Sequence, residues 1–196
     1  MLYILTLDEM KRVLGVKDAE DDEPITDMLE GLQGRFDVAC SRTLLYASGI
    51  EELFDGGKQW LLVKAFPIDS VTTIHLDEDQ EWTADTLLDT DDYRVNKPRG
   101  RIVYGIGEYY WPTGFQSVRV VYSGGLIKSD GSAAPNADGE EIEALKRAMR
   151  IQGNFEWRNR QSLGVQSIGA QGVNVTLAKA ELLPDVKEIL NGLRRY

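Results

Sequence analysis

One histidine and one cysteine set the limit on the chemistry this 196-residue chain can do. A Ser-His-acid arrangement would depend wholly on His75, the only imidazole, and His75 falls in a β-branched stretch read as a strand. A half-exposed strand residue is the simpler reading. Cys40 falls on the apolar side of a helix and reads as a small core residue. A lone cysteine makes no intramolecular disulfide, and with a lone histidine it makes no Cys/His zinc site. Cysteine usage therefore implies a reducing compartment such as the cytosol. Asp77-Glu78-Asp79-Gln80-Glu81 begins like a calcium loop, but Trp82 stands where the loop needs glycine and Leu88 where it needs glutamate. Among 32 acidic residues, no spacing singles out a carboxylate pair for glycoside hydrolysis. Gly105-Ile106-Gly107 lacks the third glycine of a dinucleotide loop, and no Gly-Lys-Ser/Thr occurs. Asn174-Val175-Thr176 has the form of a glycosylation triplet and reads as chance in a chain expected to lack an export signal. These residues point away from an enzyme and imply neither cofactor nor metal.

Charge is the more informative feature. The net charge is -10, yet Asp18 to Glu23 and Asp77 to Asp92 carry five and eight acids with no Lys or Arg. The remaining 19 acids face 22 basic residues, so the chain is a mildly basic body with two acidic patches. Lys146, Arg147 and Arg150, with Arg158 and Arg160 beside Trp157, form a basic helix face suited to phosphates or to an acidic protein surface. No run approaches the roughly 18 to 20 apolar residues a bilayer requires, and the N-terminal segment lacks a basic start and a cleavage site. Neither a membrane span nor an export signal is expected.

The elements that position these groups follow from periodicity. Thr6-Leu7-Asp8-Glu9 has capping-box spacing, and the short helix it opens stops at Gly15. Pro24 opens a second helix, with Ile25, Met28, Leu29, Leu32, Phe36, Ala39 and Cys40 at spacings of three and four, running to Ala47. Gly31 and Gly34 inside it suggest a close helix contact or a local weakness. Glu51 to Phe54, Asp55-Gly56-Gly57 and Trp60 to Val63 read as a hairpin. Ser70 to Leu76, Tyr93 to Asn96, Arg101 to Tyr104 and Val118 to Ser123 complete about six short strands. After a Gly/Ser/Ala/Pro linker, a third helix starts near Asp138 with Ile142, Leu145, Met149 and Gln152 in line. Eight of the twelve residues from Gln161 to Gly172 are Gln, Ser or Gly, so their burial cannot offset the entropy of ordering them, and a flexible arm is expected. Val173 to Leu177 could form a strand, and Pro184 opens a final helix with Val186, Ile189, Leu190 and Leu193 inward. The expected fold is α+β: a small helical bundle with an inserted antiparallel β-sheet or barrel-like subdomain and a mobile C-terminal arm. The expected divisions are 1–49 and 126–160 for the helical core and its linker, 50–125 for the β insertion, and 161–196 for the arm and last helix.

This order of motifs resembles the longer, prophage-type head-tail connector or head-completion adaptor proteins of tailed bacteriophages. The likeness is carried by the helix around Leu7 to Val16 and by Asp21-Asp22-Glu23 opening helix two. It continues through Phe54-Asp55-Gly56-Gly57, Trp60-Leu61-Leu62-Val63 and Phe66-Pro67-Ile68-Asp69-Ser70-Val71. Trp111-Pro112, Val118 to Gly125, the aromatic-Arg end of helix three, the Ser/Gly arm and the Leu183-Pro184 helix complete it. The motifs span nearly the whole chain, and their strength lies in their order.

The resemblance implies a virion structural protein without catalysis, sitting at the head-tail junction after assembly in the host cytoplasm. It implies a ring of about twelve copies beneath the portal protein, extending the DNA channel and docking a stopper or tail-completion protein. DNA would pass without sequence-specific binding, and no membrane would be involved. The residues expected to dock on the portal are Leu163, Val165, Ile168, Val173, Val175, Leu177, Leu193 and Tyr196. Those expected between neighbouring subunits are Arg147, Arg150, Trp157 and Arg158 against Asp21, Asp22 and Glu23, or against the acids of 77–92. Two other classes remain open at this point: a carbohydrate- or protein-binding module using Tyr109-Tyr110-Trp111, and a small hydrolase with an acid pair in the sheet.

Overall fold

The structure, a computed structural model, describes residues 4–105, 109–160, 167–170, 173–176 and 181–194. The described residues divide into two compact units, one built from residues 4–41 and from Glu143 onward, the other from Arg42–Ile142.

The first unit is mainly helical among the described residues. Helix α1 (Leu7–Leu14) starts at the expected capping box: Glu9 N donates to Thr6 Oγ1 at 3.2 Å, and Thr6 N donates to Glu9 Oε2 at 2.9 Å. Gly15 ends it at φ 72°, a conformation that favours glycine. Helix α2 (Asp22–Cys40) buries Ile25, Leu29, Leu32, Phe36 and Cys40. It ends seven residues before the expected Ala47, because Ser41 turns left-handed at φ 53°. Helix α3 (Gly139–Arg158) presents Leu145, Ala148 and Met149 to the same core. Helix α4 (Pro184–Gly192) adds Val186 and Leu190. The tight helix contact suspected at Gly31 and Gly34 lies instead at Gly153, where a Cβ would stand 2.5 Å from Met10 Cε. At Gly31 and Gly34 a Cβ would meet nothing within 4 Å.

Gln152 belongs to the apolar line of α3 yet is fully buried. Its amide closes on the segment leading into α4: Nε2 donates to Glu181 O at 3.1 Å, and Oε1 accepts from Leu183 N at 2.9 Å. A buried amide with both ends paired fixes where that segment packs. Between α3 and α4, a hairpin of β7 (Ser167–Ala170) and β8 (Val173–Thr176) stands partly where the sequence suggests only an arm.

Among the described residues the second unit has six strands: β1 (Ala47–Phe54), β2 (Trp60–Leu62), β3 (Ile68–Leu76), β4 (Tyr93–Asn96), β5 (Arg101–Tyr104) and β6 (Val118–Gly124). They form two antiparallel three-stranded sheets, ordered β1-β6-β3 and β2-β5-β4, so the insertion is a pair of open sheets rather than a closed barrel among the described residues. Leu61, Ile74, Ile102, Trp111, Val118, Val120 and Tyr122 share one core.

The expected β1–β2 hairpin is not formed, since the two strands lie in different sheets. Gly56 and Gly57 serve a close approach instead. Gly56 N donates to Gly114 O at 2.9 Å, Gly57 N to Trp111 O at 2.8 Å, and a Cβ on Gly56 would lie 1.7 Å from Pro112 O. A partly buried polar cluster ties β6 to β1 and to the segment before β3. Tyr122 Oη donates to Glu52 and accepts from Ala65 N at 3.0 Å, while Lys64 N donates to Glu52 Oε1 at 2.9 Å. Burial, reinforced by the Glu52 carboxylate, pushes the Tyr122 phenol well above its ordinary range.

Candidate functional site

The structure sorts the charged groups into those spent on the fold and those left on the surface. In the first acidic patch, Asp22 pairs with Lys11, whose Nζ also donates to Asp18 O at 3.0 Å. This clamps the acidic loop to α1. Asp21 is half-buried and Glu23 exposed, and both acids sit in the first turns at the start of α2, where the helix dipole favours negative charge.

The basic face of α3 divides in two. Lys146 turns inward, 9% exposed, with Nζ 3.6 Å from Glu9 Oε1. Burial alone would raise the Glu9 carboxyl, but the Thr6 backbone N–H, the Lys146 charge, the Thr6 hydroxyl and the Arg150 charge together hold it below the ordinary 4.5. Arg147 and Arg158 are exposed and form no ion pair among the described residues. Eleven positions apart at 100° per residue, they lie on one stripe with half-exposed Ile151 and Asn154 between them. Trp157, expected on the subunit surface, is only 8% exposed, and Arg160 stacks 4.2 Å from its ring centre. Its indole therefore serves the fold.

The second acidic patch is organised by Asp77, whose carboxylate accepts from Asp79 N at 3.0 Å, Glu81 N at 3.1 Å and Trp82 N at 2.9 Å. Asp77 thus closes its own loop, an Asx-type arrangement that fixes the backbone of 79–82. Among the described residues no group of three or more His, Cys, Asp or Glu could hold a metal ion. His75 is half-buried in β3, with Nδ1 3.2 Å from Thr86 Oγ1.

Beside this patch the 111–116 segment carries the most exposed aromatic side chain described, Phe115, at 74%. Its backbone is held from three sides. Gln80 Nε2 donates to Phe115 O at 3.3 Å, Gln116 N donates to Asp55 Oδ1 at 2.9 Å, and Gly56 N bonds Gly114 O. Sequence reasoning missed Phe115; an aromatic directly after Pro-Thr-Gly is the signal that could have found it. Tyr109 and Tyr110 are exposed, but Trp111 is 1% exposed, so the three rings do not form one open binding platform.

A second surface feature lies on α2. Gly31, Gly34 and Val38, with Glu30, Arg35, Ala39, Leu182 and Lys187, line a groove of about 540 Å³ whose walls are mainly apolar. Val38 is 80% exposed at its edge, and Arg35 pairs with Glu156. The acid-pair hydrolase reading expects a deep pocket in the sheet; this groove belongs to the helical unit.

Of the residues expected to dock on a portal, Leu163, Val165, Leu177 and Tyr196 lie outside the described residues, and Ile168, Val173 and Val175 fall in the β7–β8 hairpin. Leu193 is 6% exposed, so its side chain belongs to the core and is not available for docking. Among the described residues no helix is long and apolar enough to cross a membrane.

No family model and no curated protein sequence matches the chain. Solved structures do match, across almost its full length. A chain in the "Neck of empty GTA particle computed with C6 symmetry" is similar at TM-score 0.62 and 14% identity, covering 98% of this chain and 90% of that one. A chain in the "Virion of native gene transfer agent (GTA) particle" gives 0.58 at 14% identity, and one in the "Neck of native GTA particle computed with C12 symmetry" gives 0.54 at 15%, with the same coverage. The fold is thus one found in the neck of gene transfer agent particles. The head-tail connector resemblance read from the order of motifs is met at the level of fold.

Proposed function

We propose that this chain is a virion structural protein of a head-tail neck: an adaptor that forms a ring beneath the portal and continues the DNA channel toward the tail. The observation that carries the reading is the fold correspondence over 98% of this chain and 90% of its neighbour, which includes both the helical elements and the inserted sheets. A match confined to one small unit would leave the role open, because common folds host many functions. Charge distribution supports the same reading. Identical subunits in a closed ring meet through two different surfaces, and this chain carries exposed arginines on α3 and two acidic patches, Asp18–Glu23 and the loop after β3. Arg147, Arg150 and Arg158 are assigned to contacts with the acids of the next copy. Portal docking is assigned to the 163–177 stretch, and the stopper or tail-completion protein binds the opposite face of the ring. The role is non-catalytic, and DNA passes without sequence-specific contacts.

The test is to mix full-length protein with its portal and image the product by electron microscopy. A ring at the tail-facing end of the portal is expected; bare portals at saturating protein would refute the adaptor reading. Removing 161–196 outright would also remove α4, whose Val186 and Leu190 are core residues. The docking assignment is therefore tested by polar substitution of Leu163, Val165 and Leu177, which should abolish portal binding while leaving the fold intact.

A further inference from the structure

The ring reading leaves open which acidic patch meets the arginines of α3, and the structure distinguishes them. The Asp18–Glu23 patch is partly spent on Lys11, and its own described residues offer no exposed large apolar side chain. The loop after β3 is different. Glu78 and Asp79 are exposed, with no partner for either carboxylate among the described residues, and Glu78 Cγ lies 3.5 Å from where a Cβ on Gly114 would stand. Next to them Phe115 is 74% exposed on a backbone pinned by Gln80, Asp55 and Gly56. A large aromatic held in place by its backbone loses little freedom on binding, and such residues dominate interface energetics. The acids around it set the sign of the surface that receives it: cationic, with apolar area at its centre.

That description fits the outward stripe of α3, with Arg147 and Arg158 at its ends and half-exposed Ile151 between them. We propose that the acid-flanked Phe115 tip of one copy docks on the Arg147–Ile151–Arg158 stripe of α3 in the next copy. This inference rests on the ring reading above and specifies its subunit contact. The two surfaces are different, so the contact is head-to-tail and propagates around a ring rather than closing a dimer. Nucleic acid is disfavoured at the tip, because the phosphate backbone would face the Glu78 and Asp79 carboxylates.

The experiment uses full-length protein in which Thr113, exposed beside Phe115, and Asn154, on the stripe, are both replaced by cysteine. Cys40 is fully buried and contributes little background. Mild oxidation of concentrated protein should give a ladder of dimers, trimers and higher disulfide-linked species, while each single-cysteine variant stops at dimers. Adding Glu78→Lys with Asp79→Lys, or Arg147→Glu with Arg158→Glu, should reduce the ladder at least tenfold. Mixing tip-reversed Thr113→Cys protein with stripe-reversed Asn154→Cys protein should restore the cross-link, which also shows that both variants are folded. Absence of a ladder, a ladder indifferent to charge reversal, or cross-linking of the tip to the portal instead would each overturn the proposal. Rings on the portal without a ladder defeat this contact and leave the adaptor reading standing. A ladder without portal-bound rings does the reverse.

Discussion

Replacing Gly31 and Gly34 together by alanine should stabilise the isolated protein. Both glycines lie inside a 19-residue helix, both are exposed, and a Cβ at either would meet nothing within 4 Å. Their backbone is ordinary helix, so glycine is not needed for a left-handed turn. The substitution should therefore recover only the helix propensity lost to glycine, about 0.8 to 1 kcal/mol at each site. No contact is made or broken at either site, so the two gains should nearly add, to about 1.5 to 2 kcal/mol. For a chain of this size that corresponds to a rise in melting temperature of about 3 to 8 °C. Urea unfolding followed by circular dichroism should show a higher midpoint at an unchanged slope, because neither state gains much exposed surface. A double variant no more stable than the parent, or less stable, would refute the argument, since it would mean that the two positions are not free of steric demand.

Three other substitutions probe groups that hold each unit together internally. Gln152→Ala removes the partner of Leu183 N and Glu181 O, two backbone groups on the approach to α4; a loss of about 2 to 4 kcal/mol is expected, read as faster amide exchange from Leu183 to Leu190. Tyr122→Phe strands the Ala65 N–H and takes a donor from Glu52, so denaturation should show a loss of about 1 to 3 kcal/mol with the sheets retained; an unchanged midpoint would mean that water replaces the phenol. Glu9 is lowered in the folded state, so its contribution is complete above the unfolded value of 4.5 and is lost as pH falls through the lower folded value. Glu9→Gln should flatten the fall in stability on acidification below pH 4.5, and parallel curves for the two proteins would count against the Thr6–Lys146 account.

Local signals were legible in the sequence and non-local pairings were not. The Thr6–Glu9 box, the stop at Gly15, the opening of α4 at Pro184 and the strands Tyr93–Asn96 and Arg101–Tyr104 stand where spacing and composition place them. The end of α2 was misplaced because Leu44 and Leu45 continue a helical apolar spacing. In the fold, Leu44 O instead accepts from Leu126 N at 2.8 Å, and Tyr46 N donates to Ile127 O at 2.8 Å. No glycine or proline marks that change. Asp55-Gly56-Gly57 misled for a related reason: the pair that reads as a hairpin turn is also what lets a backbone approach Pro112, and only the fold shows which use applies. Lys146 is the instructive case among the candidate site residues. It lies one turn from Ile142 and Met149, so the helical wheel already turns it toward the core, whereas grouping it with Arg147 by adjacency makes it look like surface.

The distinction between spent and unspent charge bears on how an assembly of this chain could hold. Exposed ion pairs are each worth about 0 to 1 kcal/mol and weaken with salt. Arginine against carboxylate alone would give a contact that dissolves at physiological ionic strength unless many copies act together. In the proposed contact Phe115 would alter that balance, because burying most of an aromatic side chain adds about 1.5 to 3 kcal/mol that salt does not screen. The charges would then set direction and register, and the ring would supply the affinity. Such a contact is weak between two free copies and cumulative around a closed ring, where each subunit is held on both sides. If the proposed contact holds, free copies would meet only transiently, enough for a cross-linker to trap at high concentration, and lasting rings would need a partner such as a portal to gather them.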